Sequence, residues 1–202
     1  FNASTSVVIP YSQYLRDFPR YLQQLCMESQ GKSVTQAGKP VDYATGAIIW
    51  GESGTNSQHS FHQLLMQGTH VTPVDFIIPL SNRDGSRNEE MMAHGLAQAQ
   101  VLMQGFDSDD PHRCIAGNVP STVLMMDQLT PHSLGALIAL YEHKVFVQSV
   151  IWGINPFDQW GVERGKVGAA RLLSDIQQGC VSTEHDASTQ QLLRRVIGEV
   201  ES

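Results

Sequence analysis

The sequence predicts an α/β protein in which a parallel β-sheet is covered by helices on both faces. Short apolar runs rich in β-branched residues alternate along the chain with longer amphipathic runs of helical periodicity. This alternation is typical of parallel strands, because each parallel connection needs a crossover that is usually a helix. The 202 residues, 41% of them hydrophobic, supply enough apolar material for one sizeable core.

The strands are predicted from short apolar runs bounded by Gly or Pro. The pattern is met at residues 7–10, 47–50 and 74–78, with a further candidate at 121–126. Helical patterns lie between and after these runs, at about 11–29, 58–67, 89–104, 131–152 and 161–177. The start near 131 is well marked, because Thr130 is a suitable N-cap and Pro131 suits the first helical turn. We expect one domain over residues 1–178 and a tail, 179–202, that contains a short helix.

The charge composition argues against several classes of partner. The chain carries 13 Lys and Arg against 20 Asp and Glu, a net charge of −7, and it has no block of basic residues. A nucleic-acid partner is therefore not expected, since a phosphate backbone calls for clustered cations. A small anionic substrate stays compatible with this charge, because N–H groups at a helix start or a single Lys can bind a phosphate.

The cysteines and the longest apolar stretch bear on the cellular compartment. Cys26, Cys114 and Cys180 are odd in number, widely spaced and without a CxxC pair, which favours a reducing compartment and argues against a thiolate zinc site. The first residues lack the pattern of a secretory leader. The apolar stretch 134–154 is interrupted by polar residues at 142–144, so we expect no membrane span and a cytoplasmic location.

The segment after the second predicted strand carries the first candidate chemistry. Residues 51–59 read GESGTNSQH, and they follow a strand at the edge where parallel sheets bind ligands. Ser53 is a candidate hydrolase nucleophile on a strand-to-helix turn, but Thr55 stands where that turn needs Gly. His59 and His62 share a helix face and are candidate metal ligands, although no third ligand follows at a recognisable spacing.

Two pairs of polar residues have spacings that place them on common helix faces. Gln24 and Glu28 lie one turn apart on the first predicted helix, and Gln159 and Lys166 are two turns apart if a helix runs through both. From the pattern alone, a solvated helix edge is the favoured interpretation of Gln24 and Glu28, and Lys166 would likewise be a surface lysine. The chemistry therefore stays undecided at this point.

Several long motifs follow one another in order along nearly the whole chain. They are residues 43–80, with GESGTNSQHSF at 51–61, LGALIALYEHK at 134–144, residues 155–166, and STEHDAST at 182–189. A set of motifs in register is far more specific than a single one. Together they resemble the C-terminal half of the glucose-6-phosphate isomerase family. The resemblance implies a second sugar isomerase (SIS) domain, whose parallel sheet is flanked by helices.

The resemblance implies interconversion of glucose 6-phosphate and fructose 6-phosphate through ring opening and a cis-enediol, in glycolysis and gluconeogenesis. By position, Glu28 resembles the family's base, His59 its ring-opening histidine contributed across a homodimer, and Lys166 the lysine that assists ring opening. Gln24 and Gln159 resemble glutamines that contact the substrate. These residue types suit the chemistry, because a carboxylate can remove a proton next to a carbonyl and imidazole exchanges protons near neutral pH. The family match implies neither a metal nor a cofactor.

The chain departs from the family pattern in its length and at four positions. Family members are more than twice as long, and the missing part holds a first SIS domain with phosphate-gripping loops and a Gly-Gly-Arg segment. We therefore expect a fragment with little or no turnover on its own. Ser53, Ser57, His62 and Val119 stand where Pro, Gly, an aromatic residue and Arg are usual. Two alternatives stay open, a non-catalytic SIS module that binds a sugar phosphate and a serine hydrolase that uses Ser53.

Overall fold

A computed structural model of the chain describes residues 3–199 and contains one four-stranded sheet. The strands are β1 (Thr5–Pro10), β2 (Ile48–Trp50), β3 (Val74–Pro79) and β4 (Ser121–Met126). Their order in the sheet is β2-β1-β3-β4, and all three pairings are parallel. In register, Val7 lies opposite both Trp50 and Val74. The predicted α/β class is confirmed, and so are the four predicted strands.

Helices join the strands and continue the chain after them. In the described part of the chain they are α1 (Phe18–Leu22), α2 (Gly54–Gln58), α3 (His62–Gln67), α4 (Glu89–Gln104), α5 (Pro131–Trp152), α6 (Trp160–Gln178) and α7 (Ala187–Ile197). The predicted start of α5 is confirmed, because Thr130 Oγ1 accepts a hydrogen bond from the Ser133 N–H at 3.1 Å. Ser133 Oγ in turn accepts one from the Thr130 N–H at 2.8 Å, which completes a capping box.

Two predicted helices are divided in the structure. Residues 11–29 form a 3-10 turn (Gln13–Leu15), then α1, and then a π-helical segment (Gln23–Glu28). The break before α1 has a local cause, since Pro19 lies in the first turn of α1 and has no N–H with which to continue a preceding helix. The predicted helix at 58–67 is likewise divided, because α2 ends at Gln58 and α3 begins at His62.

The sheet separates two apolar layers. Val8 and Ile77 point to one face and pack with side chains from α1 and α5. Val7, Ile9 and Phe76 point to the other face and pack with side chains from α3 and α4. Each of these five residues is at most 1% exposed, and their alternation follows from the two-residue period of a strand. Helices therefore cover both faces of the sheet, as predicted.

Helix α5 is the longest helix of the described residues and is strongly apolar. By length and composition alone it is long enough and apolar enough to cross a membrane, which differs from the prediction based on its central polar residues. The core helix of a soluble protein meets the same criterion. Leu137, Tyr141 and Val145 of α5 are buried in the core below the sheet, while 22% of the apolar window of the helix is buried in all.

The chain divides into two compact units, residues 1–157 and 158–202. The first unit contains the sheet and helices α1 to α5. The second contains α6 and α7. Among the described residues of this unit, the buried apolar side chain is Leu193 of α7. The predicted domain boundary after residue 178 stays a prediction.

Candidate functional site

A polar cleft of about 480 Å³ lies at the carboxyl edge of the sheet, where the chain leaves β1 and β2. Arg16 and Arg20 line it on the side that follows β1, and Glu52 and Asn56 line it on the side that follows β2. Parallel sheets bind ligands at this edge. Asp17, which forms an ion pair with Arg16 at 3.6 Å, lines the cleft as well, so the two guanidinium groups share it with two carboxylates. These arginines were not predicted, since nothing in their spacing sets them apart from surface arginines.

Glu28 stands at the end of the π-helical segment that follows α1. Single π-turns inside helices often occur at functional sites. The carbonyl groups of Glu28 and Ser29 accept hydrogen bonds from Lys32 Nζ at 2.9 and 2.8 Å, which fixes the end of the segment. The Glu28 side chain is half-buried, whereas Gln24 of the same segment is exposed. Neither residue is among the described residues that line the cleft.

The glycines of the loop after β2 allow it to pass close to β1. Gly51 has a φ of 154°, and a Cβ atom there would lie 1.9 Å from the carbonyl oxygen of Val8. A Cβ atom on Gly54 would lie 2.4 Å from the ring of Tyr11. Only glycine fits these two positions. The small residues at these positions therefore let the loop pass directly against β1 and Tyr11.

His59 lies in the turn that separates α2 from α3. Its side chain is exposed, and its backbone N–H donates to the carbonyl of Asn56 at 3.1 Å. The neighbouring Gln58 is anchored, because its Nε2 donates to the Tyr11 hydroxyl at 3.1 Å. The turn therefore holds His59 at the surface of the first unit.

His62 is oriented differently from His59 and does not form a metal site with it. The His62 ring is buried, with Ser57 Oγ 3.1 Å from Nε2 and Gln98 Oε1 3.0 Å from Nδ1. Burial lowers the pKa of His62, although the hydrogen bond with Gln98 opposes this effect. Among residues 3–199, no three His, Cys, Asp or Glu side chains are grouped as a metal site requires.

Ser53 does not have the surroundings of a hydrolase nucleophile. It is 6% exposed and precedes α2 in an ordinary extended conformation, with φ −61° and ψ 145°. A nucleophile elbow instead presents its hydroxyl on a strained, exposed turn. Among the described residues, the histidine that contacts a serine of this segment is His62, and its partner is Ser57 and not Ser53. The geometry gives no support to the hydrolase alternative.

Gln159 and Lys166 belong to the second compact unit. Gln159 is the N-cap residue of α6, and Lys166 lies in the second turn of that helix; both side chains are exposed. Further along the unit, Asp175 accepts a hydrogen bond from the Ser182 N–H at 3.1 Å and lies 2.8 Å from His185 Nε2. These contacts lower the pKa of Asp175. The convergence of Lys166 and Gln159 with Glu28 and His59 stays a prediction.

The fold and the cleft place the chain in the class of α/β proteins whose polar cleft lies at the carboxyl edge of a parallel sheet. Within that class, its sequence matches the family model of phosphoglucose isomerase over residues 1–193. The chain belongs to the phosphoglucose isomerase family.

Relatives of known sequence and structure agree with this assignment. The chain is 48% identical over 216 residues to a glucose-6-phosphate isomerase from Alteromonas mediterranea and 50% identical over 210 residues to one from Roseiflexus. In both cases 96% of this chain is aligned, against 39% and 38% of the relative. A crystal structure of a glucose-6-phosphate isomerase from Chlamydia trachomatis superimposes with a TM-score of 0.86 at 40% identity, over 98% of this chain and 38% of that one. The chain thus spans about two fifths of the length of these relatives.

Proposed function

We propose that this chain acts, within a protein of the length of its relatives, as part of an isomerase that interconverts glucose 6-phosphate and fructose 6-phosphate. The observation that carries the proposal is the family match over residues 1–193. The names of relatives at 48–50% identity support the same reaction. The reaction moves one proton between C2 and C1 of the open sugar, so it needs ring opening and a base near both carbons.

In this proposal, Glu28 is the base. Its carboxylate takes the proton from C2 of the aldose, which leaves a cis-enediolate with its negative charge on O1. A proton then moves from O2 to O1, through the cis-enediol, and Glu28 returns its own proton to C1 as the carbonyl forms at C2. Its place in a π-helical segment supports the role, because such segments often occur at functional sites. The Lys32 contacts to the carbonyls of Glu28 and Ser29 hold the segment in place, which a base that serves two adjacent carbons requires.

In the same proposal, His59 and Lys166 open the sugar ring, and Gln24 and Gln159 contact the substrate. Ring opening needs a proton donor at the ring oxygen and an acceptor at the anomeric hydroxyl, a task suited to imidazole near neutral pH. His59 is exposed on its turn, so it is accessible to a substrate bound by a second copy of the chain. This exposure supports the proposed homodimer, in which His59 crosses the subunit boundary.

Phosphate binding and full activity are proposed for the longer protein only. The chain spans about two fifths of its relatives, and we propose that charge stabilisation and the phosphate grip come from the remaining length. The chain alone is accordingly proposed to have little or no turnover. A cytoplasmic location and the absence of nucleic-acid and membrane partners stay predictions.

The base assignment is tested by Glu28→Gln in the protein of full family length. The substitution keeps the size of the side chain but removes its basicity, so we expect kcat for fructose 6-phosphate formation to fall by about 10²- to 10⁴-fold. The matched control is Glu184→Gln, an exposed carboxylate on the second unit, which we expect to leave kcat unchanged. A coupled assay of both variants and the parent measures the effect.

The outcomes separate the proposal from its alternative. Unchanged turnover in Glu28→Gln would rule out Glu28 as the base. A full-length parent protein that binds glucose 6-phosphate but does not convert it would instead support the non-catalytic sugar-phosphate module.

A further inference from the structure

A buried hydrogen-bond bridge holds the turn that carries His59, and we propose that this bridge positions the His59 imidazole for ring opening. The bridge consists of Ser57, His62 and Gln98, joined by the contacts of 3.1 Å at His62 Nε2 and 3.0 Å at His62 Nδ1. His62 is thus a positioning residue, which acts through His59 and not on the substrate. The inference rests on the proposed role of His59.

The bridge spans the turn from one side to the other. Ser57 lies in α2 before the turn and is 0% exposed, while His62 begins α3 after the turn and is 5% exposed. The backbone N–H groups of Ser60 and Phe61 both donate to the Ser57 carbonyl at 3.1 Å. Any shift of Ser57 is therefore transmitted to residues 59–61. Gln98 of α4 connects the bridge to the helix layer behind it.

Ring contacts attach the same turn to the wall of the cleft. The His62 ring stacks on the Phe61 ring, with centroids 5.8 Å apart and planes at 29°. Phe61 in turn meets Trp50 edge to face, with centroids 4.7 Å apart. Trp50 and Phe61 both line the cleft. The bridge and these rings thus fix the orientation of the His59 turn within the first unit, from which His59 is proposed to reach the substrate of a second copy.

The proton positions in the bridge follow from its donors and acceptors. Gln98 Oε1 accepts from the Nδ1–H of His62, which leaves Nε2 of the neutral ring as an acceptor. The single hydroxyl hydrogen of Ser57 faces both His62 Nε2 and the Gly54 carbonyl oxygen, which lie 3.1 and 2.5 Å from Ser57 Oγ. Each group in the bridge then has a partner.

The bridge also accounts for two departures from the family pattern. Ser57 and His62 both replace the usual residue types, and in the structure they contact each other. A hydroxyl in place of Gly and an imidazole in place of an aromatic ring form a matched buried pair. Either substitution alone would lose the contact between the two, which would leave Ser57 with the Gly54 carbonyl only or His62 with Gln98 only.

The bridge itself is tested in the 202-residue chain by amide hydrogen exchange. His62→Phe keeps a ring but loses both contacts, so we expect exchange at the amides of residues 59–61 to become about tenfold faster, as loss of a buried hydrogen bond predicts. Ser57→Ala should act in the same direction. His62→Gln keeps a side chain that can hydrogen-bond Ser57 and should restore exchange to within about threefold. Gln63→Ala, at the exposed neighbouring position, is the control and should leave these amides unchanged.

The positioning role is tested by kinetics in the protein of full family length. We expect His62→Phe to lower kcat by about 10- to 100-fold with KM changed by less than about threefold, and His62→Gln to recover most of the loss. A merely structural role would lower the melting temperature and leave kcat of the folded enzyme unchanged, which would overturn the proposal. Unchanged exchange at residues 59–61 in His62→Phe and Ser57→Ala would overturn the bridge. An inactive parent enzyme would refute the proposed function and with it the kinetic role, while the exchange result still decides the bridge.

Discussion

An ion pair at the edge of the core shows how the layer below the sheet accommodates groups that carry charge. Asp75 Oδ2 accepts a hydrogen bond from the Tyr141 hydroxyl at 3.0 Å and forms an ion pair with Lys144 at 3.2 Å. Nearby Cys26 is 6% exposed. Burial raises the pKa of its thiol to about 11, with Lys144 opposing and Asp75 adding to the effect. Paired charges and a protonated thiol keep this layer compatible with its apolar surroundings.

Cys26 is predicted to be unreactive in the folded chain. With a pKa of about 11, only about one thiol in a thousand is ionised at pH 8, whereas Cys114 and Cys180 are exposed. Iodoacetamide at pH 8 should add two groups to the native chain and a third only after denaturation, as measured by mass spectrometry. Alkylation of Cys26 in the native chain at the rate of Cys114 would refute the assigned burial.

Individual residues differ in how far the sequence could predict their roles. Glu28 and His59 were found as positions in family motifs, which need no knowledge of contacts. The role of His62 was missed, because its partner Gln98 lies on another helix and only folding brings the two together. The available signal was that Ser57 and His62 depart from the family pattern within one short segment.

At the scale of elements, the sequence predicted a helix end correctly where neighbouring residues alone determine it. The start of α5 was predicted from Thr130 and Pro131, and the capping box forms as expected. The division of residues 11–29 was missed, although Pro19 was visible, because amphipathic periodicity continues across the break. The π-helical segment that follows cannot be distinguished from an α-helix by its apolar pattern.

The close approach of the loop after β2 to Tyr11 gives a prediction about stability. Gly54→Ala would place a Cβ atom 2.4 Å from the Tyr11 ring, so we expect a loss of about 1–3 kcal/mol in the free energy of unfolding. Gly135→Ala is the matched control, because a Cβ atom there meets nothing within 4 Å on helix α5. It should stabilise the chain by about 0.5–1 kcal/mol, since alanine favours a helix. Urea unfolding of both variants tests the difference, and equal shifts in one direction would contradict it.

At the scale of the molecule, the order of strands and helices was enough to predict the fold class. When strands and helices alternate along a chain, the simplest arrangement is a parallel sheet with helices on both faces. The four parallel strands of the structure agree with this prediction. The position of the site at the carboxyl edge follows from the same topology. The sequence could not define the cleft itself, because Arg16 and Arg20 approach Glu52 and Asn56 only after β1 and β2 pair.

The central claim is that Glu28 transfers a proton between C2 and C1 of a hexose phosphate. It is tested most directly by turnover in D₂O with the protein of full family length, followed by NMR of the hydrogen at C2 of glucose 6-phosphate. A base that exchanges its proton with solvent during turnover introduces deuterium at C2. We expect deuterium to accumulate with the parent enzyme and not with Glu28→Gln. Repeated interconversion with no deuterium at C2, or the same deuterium uptake in Glu28→Gln, would contradict it.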